Sequence, residues 1–157
     1  MLEWLSDTQV KKIEKWNADR GNTKFDINLE KKMLSEEFAE FYQAEEAKDK
    51  LDAIVDFVFV LKGSEWKMTI NKKFDSALYV FGGKLYSLML DDLLKILDKS
   101  YDFMYNVLYD TMNIVVEANQ QKGSKKDKDG KVIKPKDFVK PEDRIQKEVV
   151  EKYRLEQ

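Results

Sequence analysis

Five carboxylates in one short part of the chain have the types and spacing of a metal site. Glu36, Glu37 and Glu40 form a Glu-Glu-x-x-Glu pattern, and Asp52 and Asp56 follow within about a dozen residues. Residues three or four positions apart share one face of a helix, so each group forms a stripe of carboxylates. Carboxylate oxygens are the donors that hard cations such as Mg²⁺ prefer. The spacing therefore favours a divalent-cation site that binds a polyphosphate and activates water.

The two aspartates stand in apolar surroundings. They share a helical stripe with Asp49, and the sequence around them reads LDAIVDFVFVL. A helix that is apolar nearly all round is expected to be buried, and burial of an unpartnered carboxylate is costly. A cation between helices would offset that cost, and salt bridges to buried Lys or Arg are the alternative. Taken alone, the glutamate stripe is more typical of a solvated helix face.

Missing residue types narrow the chemistry further. The chain has no cysteine and no histidine, which excludes disulfides, thiolate nucleophiles, Ser-His-Asp triads and zinc held by Cys or His. Any metal must therefore have oxygen ligands, which indicates Mg²⁺, with Mn²⁺ as a second choice. Lys and Arg total 28 and Asp and Glu total 30, for a net charge of -2. This balance gives no reason to expect a nucleic acid or a membrane as a partner.

Helices predicted from the apolar periodicity would position both stripes. Ser6 or Asp7 is expected to cap the first helix, and Asp26 or Asn28 the second. A short break near 48–50 makes the second and third helices antiparallel neighbours, so that the two stripes face each other. A C-terminal stop is expected at Gly63. The predicted helices span about 7–17, 27–47, 51–62, 91–100 and 101–122.

The predicted class is all-α, a single domain over 1–157 built as an antiparallel helical bundle. Its core helices span about 6–62 and 91–122, whereas 64–99 has no clean period and contains a Gly82-Gly83 break. The tail, 123–157, is predicted to be irregular, with an Asp129-Gly130 turn and a short helix from Pro141 to about 155. The chain has no apolar run of about 18 residues and no signal-like N-terminus, so a cytoplasmic location is expected.

The segment EEFAE, followed by LDAIVDFVFVL, resembles the signature of the MazG-like all-α nucleotide pyrophosphohydrolases. This superfamily also includes dimeric dUTPases, dCTP pyrophosphatases and phosphoribosyl-ATP pyrophosphohydrolase. The resemblance covers Trp16 to Gly63, breaks over 64–99, which looks like an insertion, and resumes at EANQQKG and DKDGKVIKPKDFVKPEDR. That closing segment is similar to a branch common in phage genomes. The resemblance implies hydrolysis of a nucleoside triphosphate between the α and β phosphates, a house-cleaning role, and a homodimer or homotetramer.

The resemblance also implies a role for each matching residue. Glu37 would orient and deprotonate the attacking water. The family pattern ends in Glu-x-x-Asp, but Ala53 stands where the glutamate belongs. Asp52, on the same helical face, would substitute for that ligand. The implied metal ligands are therefore Glu36, Glu40, Asp52 and Asp56.

Asn119 and Lys122 match an Asn-x-x-Lys motif of the same branch and would contact the substrate phosphates. A lysine is a compact point charge for phosphate, and an amide can donate a hydrogen bond. The ordinary alternative for Lys122 is a lysine favoured by the helix dipole at a C-terminus. Trp16 and the loop RGNTKF are candidate parts of a base pocket. Two other functions stay open: a non-catalytic nucleotide- or metal-binding bundle, and a purely structural helical oligomer.

Overall fold

The computed structural model describes residues 2–156, which form six α-helices and one π-helical segment. The predicted all-α class is confirmed. None of the helices in this range is long and apolar enough to cross a membrane. The helices are α1 (Asp7–Asp19), α2 (Ile27–Gln43), α3 (Ala47–Ile70), α4 (Ser76–Leu97), α5 (Tyr101–Gln120) and α6 (Pro141–Ile145), and the π-helical segment is Gln146–Glu151.

Polar side chains cap the starts of α1, α2, α4 and α5, whereas α3 begins without a side-chain cap. The Ser6 hydroxyl accepts a hydrogen bond from the Gln9 N–H, and the Gln9 side chain accepts one from the Ser6 N–H. Such caps satisfy backbone donors that the first helical turn leaves without partners. The predicted caps of α1 and α2 are confirmed. At the starts of α2, α4 and α5 a single side chain makes the cap, namely that of Asp26, Asp75 and Ser100.

The connection between α2 and α3 spans 44–46, so the break predicted near 48–50 is misplaced. Ala44 and Glu46 have extended backbone, which ends α2 early and lets α3 begin at Ala47. The Lys50 ammonium donates to the Phe41 carbonyl at 2.9 Å and fastens the two helix ends together. A connection this short makes α2 and α3 antiparallel neighbours, as predicted.

The helix α3 does not stop at Gly63, as predicted, but continues to Ile70. A Cβ at Gly63 would lie 2.9 Å from Asn17 Nδ2, so this glycine permits a close approach of α3 to α1. Gly82 likewise does not break its helix, because a Cβ there would lie 2.7 Å from Leu61 Cδ1. A glycine at a helix contact and a glycine at a helix end are indistinguishable in the sequence.

Residues 64–99 are mostly helical, in contrast to the weak periodicity of their sequence. They form the end of α3, a short connection and α4, which includes the predicted short helix over 91–100 as its last turns. The Trp4 indole N–H donates to the Tyr86 hydroxyl at 3.0 Å. This region therefore contributes directly to the hydrophobic core. The buried side chains of α4 are Leu78, Tyr86, Met89, Leu90, Leu93 and Leu97.

The tail begins with an irregular segment, 121–140, that holds a tight turn. Gly130 has a φ of 80° and donates its N–H to the Asp127 carbonyl at 3.0 Å. That backbone conformation favours glycine, and the predicted Asp129-Gly130 turn is confirmed. Asp129 Oδ2 forms an ion pair with Lys32 Nζ of α2 at 3.1 Å. The turn is thereby held against the outer side of α2.

The tail ends in α6 and the π-helical segment, which pack against α3 and α5. Pro141 occupies the first position of α6, as predicted, because its ring suits the start of a helix. The predicted helix to about 155 instead ends at Glu151, in the wider π form. Ile145, Val149 and Val150 are fully buried and anchor this end of the chain to the core.

Candidate functional site

A cavity of about 570 Å³ lies between α1, α2, α3, the end of α5 and the tail. It follows α3, whose lining residues Asp52, Asp56, Phe59, Gly63 and Lys67 lie on successive turns. At about 1.5 Å of rise per residue, that row extends roughly 22 Å. The antiparallel α2 lines the opposite wall from Glu40 down to Leu29. One end of the cavity is therefore acidic, and the other is apolar and aromatic.

Most of the predicted site residues line this cavity, although they come from three helices. The exception is Glu36, which is absent from the lining and lies 3.7 Å from Lys131 on the more exposed side of α2. One position along a helix turns a side chain by about 100°, so Glu36 faces the tail turn while its neighbour faces α3. The predicted residues brought together are Glu37, Glu40, Asp52, Asp56, Asn119 and Lys122.

Glu37 is the most buried carboxylate of the acidic end. It is 9% exposed, and its Oε2 has no hydrogen-bond partner. Burial, together with the neighbouring Glu40, raises the pKa of Glu37 to about 8, although Lys131 acts in the opposite direction. A carboxylate that titrates near neutral pH is suited to accept a proton from water.

The aspartates of α3 are also buried without a cationic partner. Burial raises the pKa of Asp52 to about 10, with further contributions from Asp56 and Glu142. Burial and the charge of Glu37 raise the pKa of Asp56 well above its ordinary value, while Lys122 partly opposes them. Within residues 2–156, no Lys or Arg nitrogen forms a salt bridge with either aspartate. The predicted alternative of direct salt bridges is therefore not seen.

The donor chemistry of this end fits a hard cation. Three buried carboxylate oxygens, on Glu37, Asp52 and Glu142, have no hydrogen-bond partner, and such atoms are rare in folded proteins. In the described part of the chain, however, no three carboxylates converge tightly enough to enclose an ion as they stand. Ligation would therefore require side-chain rotations that bring these oxygens together.

Lysines line the cavity beside the carboxylates. Lys122, at the end of α5, is half-buried, and burial lowers its pKa while the charge of Asp56 opposes that shift. A group of ammonium ions beside carboxylates suits a polyphosphate bound with a divalent cation. Sequence analysis gave a solvated or phosphate-facing tail for this basic stretch and assigned no individual role to its further lysines. The tail lysines that line the cavity are Lys126, Lys131, Lys134 and Lys140.

Residues of α1 hold the end of α5 against the cavity. The Arg20 guanidinium donates to the backbone carbonyls of Lys122 at 2.7 Å and Gly123 at 3.2 Å. The Trp16 indole N–H donates to the Asn119 carbonyl at 2.9 Å. These donors satisfy carbonyls that a helix C-terminus leaves without partners. Arg20 thus positions both predicted phosphate-contacting residues, a role that its sequence neighbourhood did not reveal.

The aromatic end is built around Trp16 and Phe59, whose rings meet edge to face with centroids 5.2 Å apart. Aromatic side chains at this end can contact a planar ring, and polar groups nearby can hydrogen-bond its edge. The predicted loop parts Asn22 and Thr23 line this part of the cavity. The candidate base-pocket residues are thereby placed beside one another.

A buried ion pair lies at this end and was missed from the sequence. The Lys67 ammonium lies 2.7 Å from Glu30 Oε1, and the Ser64 hydroxyl donates to the same oxygen at 2.6 Å. Glu30 is fully buried, while Lys67 lines the cavity. The partners are far apart in the chain, so no local spacing indicated the pair.

Comparison with protein-family models finds no match to this chain. Comparison with curated proteins likewise finds no significant relative, and no solved structure matches. The candidate function is therefore argued from the cavity itself and from the sequence motifs that it brings together.

Proposed function

We propose that the protein is a metal-dependent nucleoside triphosphate pyrophosphohydrolase that yields a nucleoside monophosphate and pyrophosphate. The observation that carries this proposal is one cavity with unneutralised buried carboxylates and lysines at one end and an aromatic wall at the other. That arrangement offers a place for a cation, for phosphates and for a base. The resemblance of the motifs to the MazG-like family supports the same activity.

In this proposal, Glu37 holds the attacking water and takes its proton. The water oxygen forms a new bond to phosphorus, the bridging bond between the α and β phosphates breaks, and pyrophosphate leaves with the electron pair. Mg²⁺ or Mn²⁺, bound by Glu40, Asp52 and Asp56, would neutralise phosphate charge. The pKa of Glu37 is raised in the metal-free protein, and a cation bound beside it would favour the ionised form that accepts the proton from water.

Lys122 and Asn119 bind the phosphates in this proposal, and the tail lysines add charge around them. The ammonium groups stabilise the negative charge that develops on the leaving pyrophosphate. Glu36, outside the cavity, acts indirectly: its ion pair with Lys131 holds the tail turn beside the cavity. Trp16 and Phe59 provide the wall for the base.

The proposal includes a house-cleaning role in the cytoplasm and a homodimer or homotetramer, both taken from the family resemblance. Exposed apolar side chains on and before α4 support an oligomer surface, since large apolar groups on a surface are common at contacts between chains. The most exposed of them are Phe74, Val80 and Leu88.

A second candidate is a non-catalytic bundle that binds a nucleotide or a metal. It is favoured by Ala53, which replaces a family ligand, and by the absence of a closed carboxylate shell in residues 2–156. In that case the cavity would bind its ligand without turnover.

The test is pyrophosphate release from a panel of nucleoside triphosphates, with Mg²⁺ and with a chelator as the matched control. The enzyme proposal expects release of pyrophosphate that depends on the metal. Thermal stabilisation by nucleotide with Mg²⁺ but without release would favour the binding protein. If neither metal nor nucleotide changes the melting temperature, a purely structural role is supported instead.

A further inference from the structure

We propose that Glu142, carried by the tail, joins Glu40 and Asp52 as a ligand of a divalent cation and supplies the carboxylate that the motif lacks at Ala53. The inference deepens the proposed function and rests on its metal requirement. It adds a ligand from a part of the chain almost ninety residues away from the motif.

The three carboxylates stand between two cavities. A second, more open groove of about 610 Å³ lies beside the first cavity and is lined mainly by acidic residues. Glu40, Asp52 and Glu142 line both spaces, so they form the wall that the two have in common. A cation there would be reached by phosphates from one side and by water from the other.

Unpartnered oxygens provide an independent reason to place a ligand here. Asp52 Oδ1 and Glu142 Oε2 are buried without hydrogen-bond partners, although their residues face each other across the wall. Glu37, which is 9% exposed and lines the same cavity, has an unpartnered oxygen as well. Buried carboxylates normally have hydrogen-bond partners or a counter-ion, and a cation would supply the missing partner to all three.

The docking of α6 explains how a tail residue reaches this wall. Glu142 lies in the first turn of α6, directly after Pro141. Ile145 is fully buried in the core, and Arg144 pairs with Glu117 of α5 at 2.7 Å. These contacts on both sides of the helix fix its rotation, so the position of Glu142 depends on packing and not on the irregular segment before it.

Alanine at 53 fits the same arrangement. Ala53 is buried, 3% exposed, and its small side chain belongs to the packed side of α3. A glutamate at that position would have to enter the core or displace it. Asp52 is shorter than the family glutamate, and a carboxylate from α6 opposite it restores the number of donors.

The test measures Mg²⁺ and Mn²⁺ affinity of the full chain by calorimetry, without nucleotide. Loss of even an outer partner of a metal ligand typically weakens affinity by about 10- to 100-fold. We therefore expect Glu142→Gln to weaken binding at least about tenfold. Asp143→Asn is the matched control, since Asp143 is exposed on the same helix and lines neither cavity; it should change affinity less than about twofold.

A second readout follows the position of α6. Metal binding should slow hydrogen exchange of the α6 amides in the wild-type protein and in Asp143→Asn, but not in Glu142→Gln. A melting temperature of metal-free Glu142→Gln at or above that of the metal-free wild type verifies that the variant is folded. Wild-type metal affinity in Glu142→Gln, or equal weakening in both variants, would overturn the inference.

Its failure is distinguishable from failure of the proposed function. If metal binding depends on Glu142 but no nucleotide is hydrolysed, the ligand assignment holds and the enzyme proposal does not. If nucleotides are hydrolysed and Glu142→Gln binds metal normally, only the ligand assignment is wrong. A wild-type protein that binds neither Mg²⁺ nor Mn²⁺ overturns both.

Discussion

Two buried glutamates at the α2–α3 interface differ in how their charge is balanced. Glu30, near the start of α2, receives the Lys67 ammonium and the Ser64 hydroxyl. Glu37, two turns further along the same helix, faces Asp52 and other carboxylates and has no salt bridge to a described Lys or Arg. At the interface of the same two helices, the charge of Glu30 is thus neutralised by a lysine of the chain, and the charge of Glu37 is not.

The difference separates a structural charge from a functional one. An ion pair buried on both sides is complete when the chain folds, and its removal is expected to affect stability alone. A cluster of like charges raises the folded-state pKa of its members and leaves them short of a counter-ion. Burial of one carboxylate by itself therefore does not indicate a site, and neither does one unpartnered oxygen, since Glu30 Oε2 is also buried without a hydrogen-bond partner. A cluster of buried carboxylates without a salt-bridge partner is the more specific sign.

The largest expected effect comes from Glu37→Gln, which removes the proposed base but keeps the shape of the side chain. Positioned general bases contribute about 10²- to 10⁴-fold to a rate, so we expect turnover to fall by that factor while nucleotide binding persists. Pyrophosphate release and calorimetry measure the two quantities. Glu151→Gln, exposed and outside both cavities, is the matched control, and normal turnover in Glu37→Gln would refute the assigned role.

For the neutralised Glu30, the substitution Lys67→Met should lower the free energy of unfolding. It leaves the Glu30 carboxylate buried without its cation, and breaking a buried pair typically costs about 3–5 kcal/mol. Denaturant unfolding measures the loss, which Mg²⁺ should not restore. The double variant Glu30→Gln with Lys67→Met should recover a large part of it, since no unpaired charge is then buried. Equal stability of Lys67→Met and wild type would show that the pair is not structural.

The metal-free protein should become less stable between pH 5 and pH 8. The folded-state pKa values of Glu37, about 8, and Asp52, about 10, lie above those of the unfolded chain. Over this window the folded state holds more protons, so stability falls as pH rises, although Lys122 and Lys131 reduce the effect. At about 1.4 kcal/mol per pH unit for each such group and about 2–4 °C per kcal/mol, one uncompensated group over three pH units corresponds to a fall of roughly 10 °C, which is the size of effect we expect.

The control for this pH dependence is the same melting series with Mg²⁺, which binds the ionised carboxylates and should flatten the curve. A melting temperature that stays constant or rises between pH 5 and pH 8 without metal would contradict the inference that no residue of the chain neutralises Glu37 and Asp52.

A smaller effect is expected from Asp56→Asn. It removes one of the crowded charges, so the metal-free melting temperature at pH 8 should rise by a few degrees, on the order of 1 kcal/mol. The stabilisation by Mg²⁺ should diminish, because a proposed ligand is lost. Differential scanning calorimetry with and without Mg²⁺ measures both changes. Asp102→Asn, exposed on α5 and outside both cavities, should leave the metal response intact.

Local spacing was sufficient for some features and insufficient for others. Caps at Ser6 and Asp26, and carboxylates three or four residues apart, depend on contacts within one helix, and these predictions agree with the structure. The exclusion of Glu36 from the cavity depends on how α2 is rotated against α3. That rotation is set by packing across the interface, which one helix does not encode.

The missed residues share a different cause. Glu142 and Lys67 act on residues far away in the sequence, and their own surroundings are ordinary charged segments. Arg20 was expected only as part of the loop RGNTKF, since its contact with Lys122 is equally distant in the sequence. The structure of 64–99 was missed because its glycines serve close packing, while the sequence rules assign glycine to helix ends. The all-α class was nevertheless predicted, since each long helix carries its own apolar stripe.

Gly63 has a further consequence, which concerns the balance between the stability of α3 and the shape of the cavity. A glycine inside a 24-residue helix sacrifices about 1 kcal/mol of helix propensity relative to alanine. Alanine at this position would gain that propensity, but its methyl would press on Asn17, which lines the aromatic end of the cavity. A more stable helix would therefore come with a displaced pocket wall. The missing side chain at Gly63 thus sets how closely Asn17 of α1 approaches α3 at this end of the cavity.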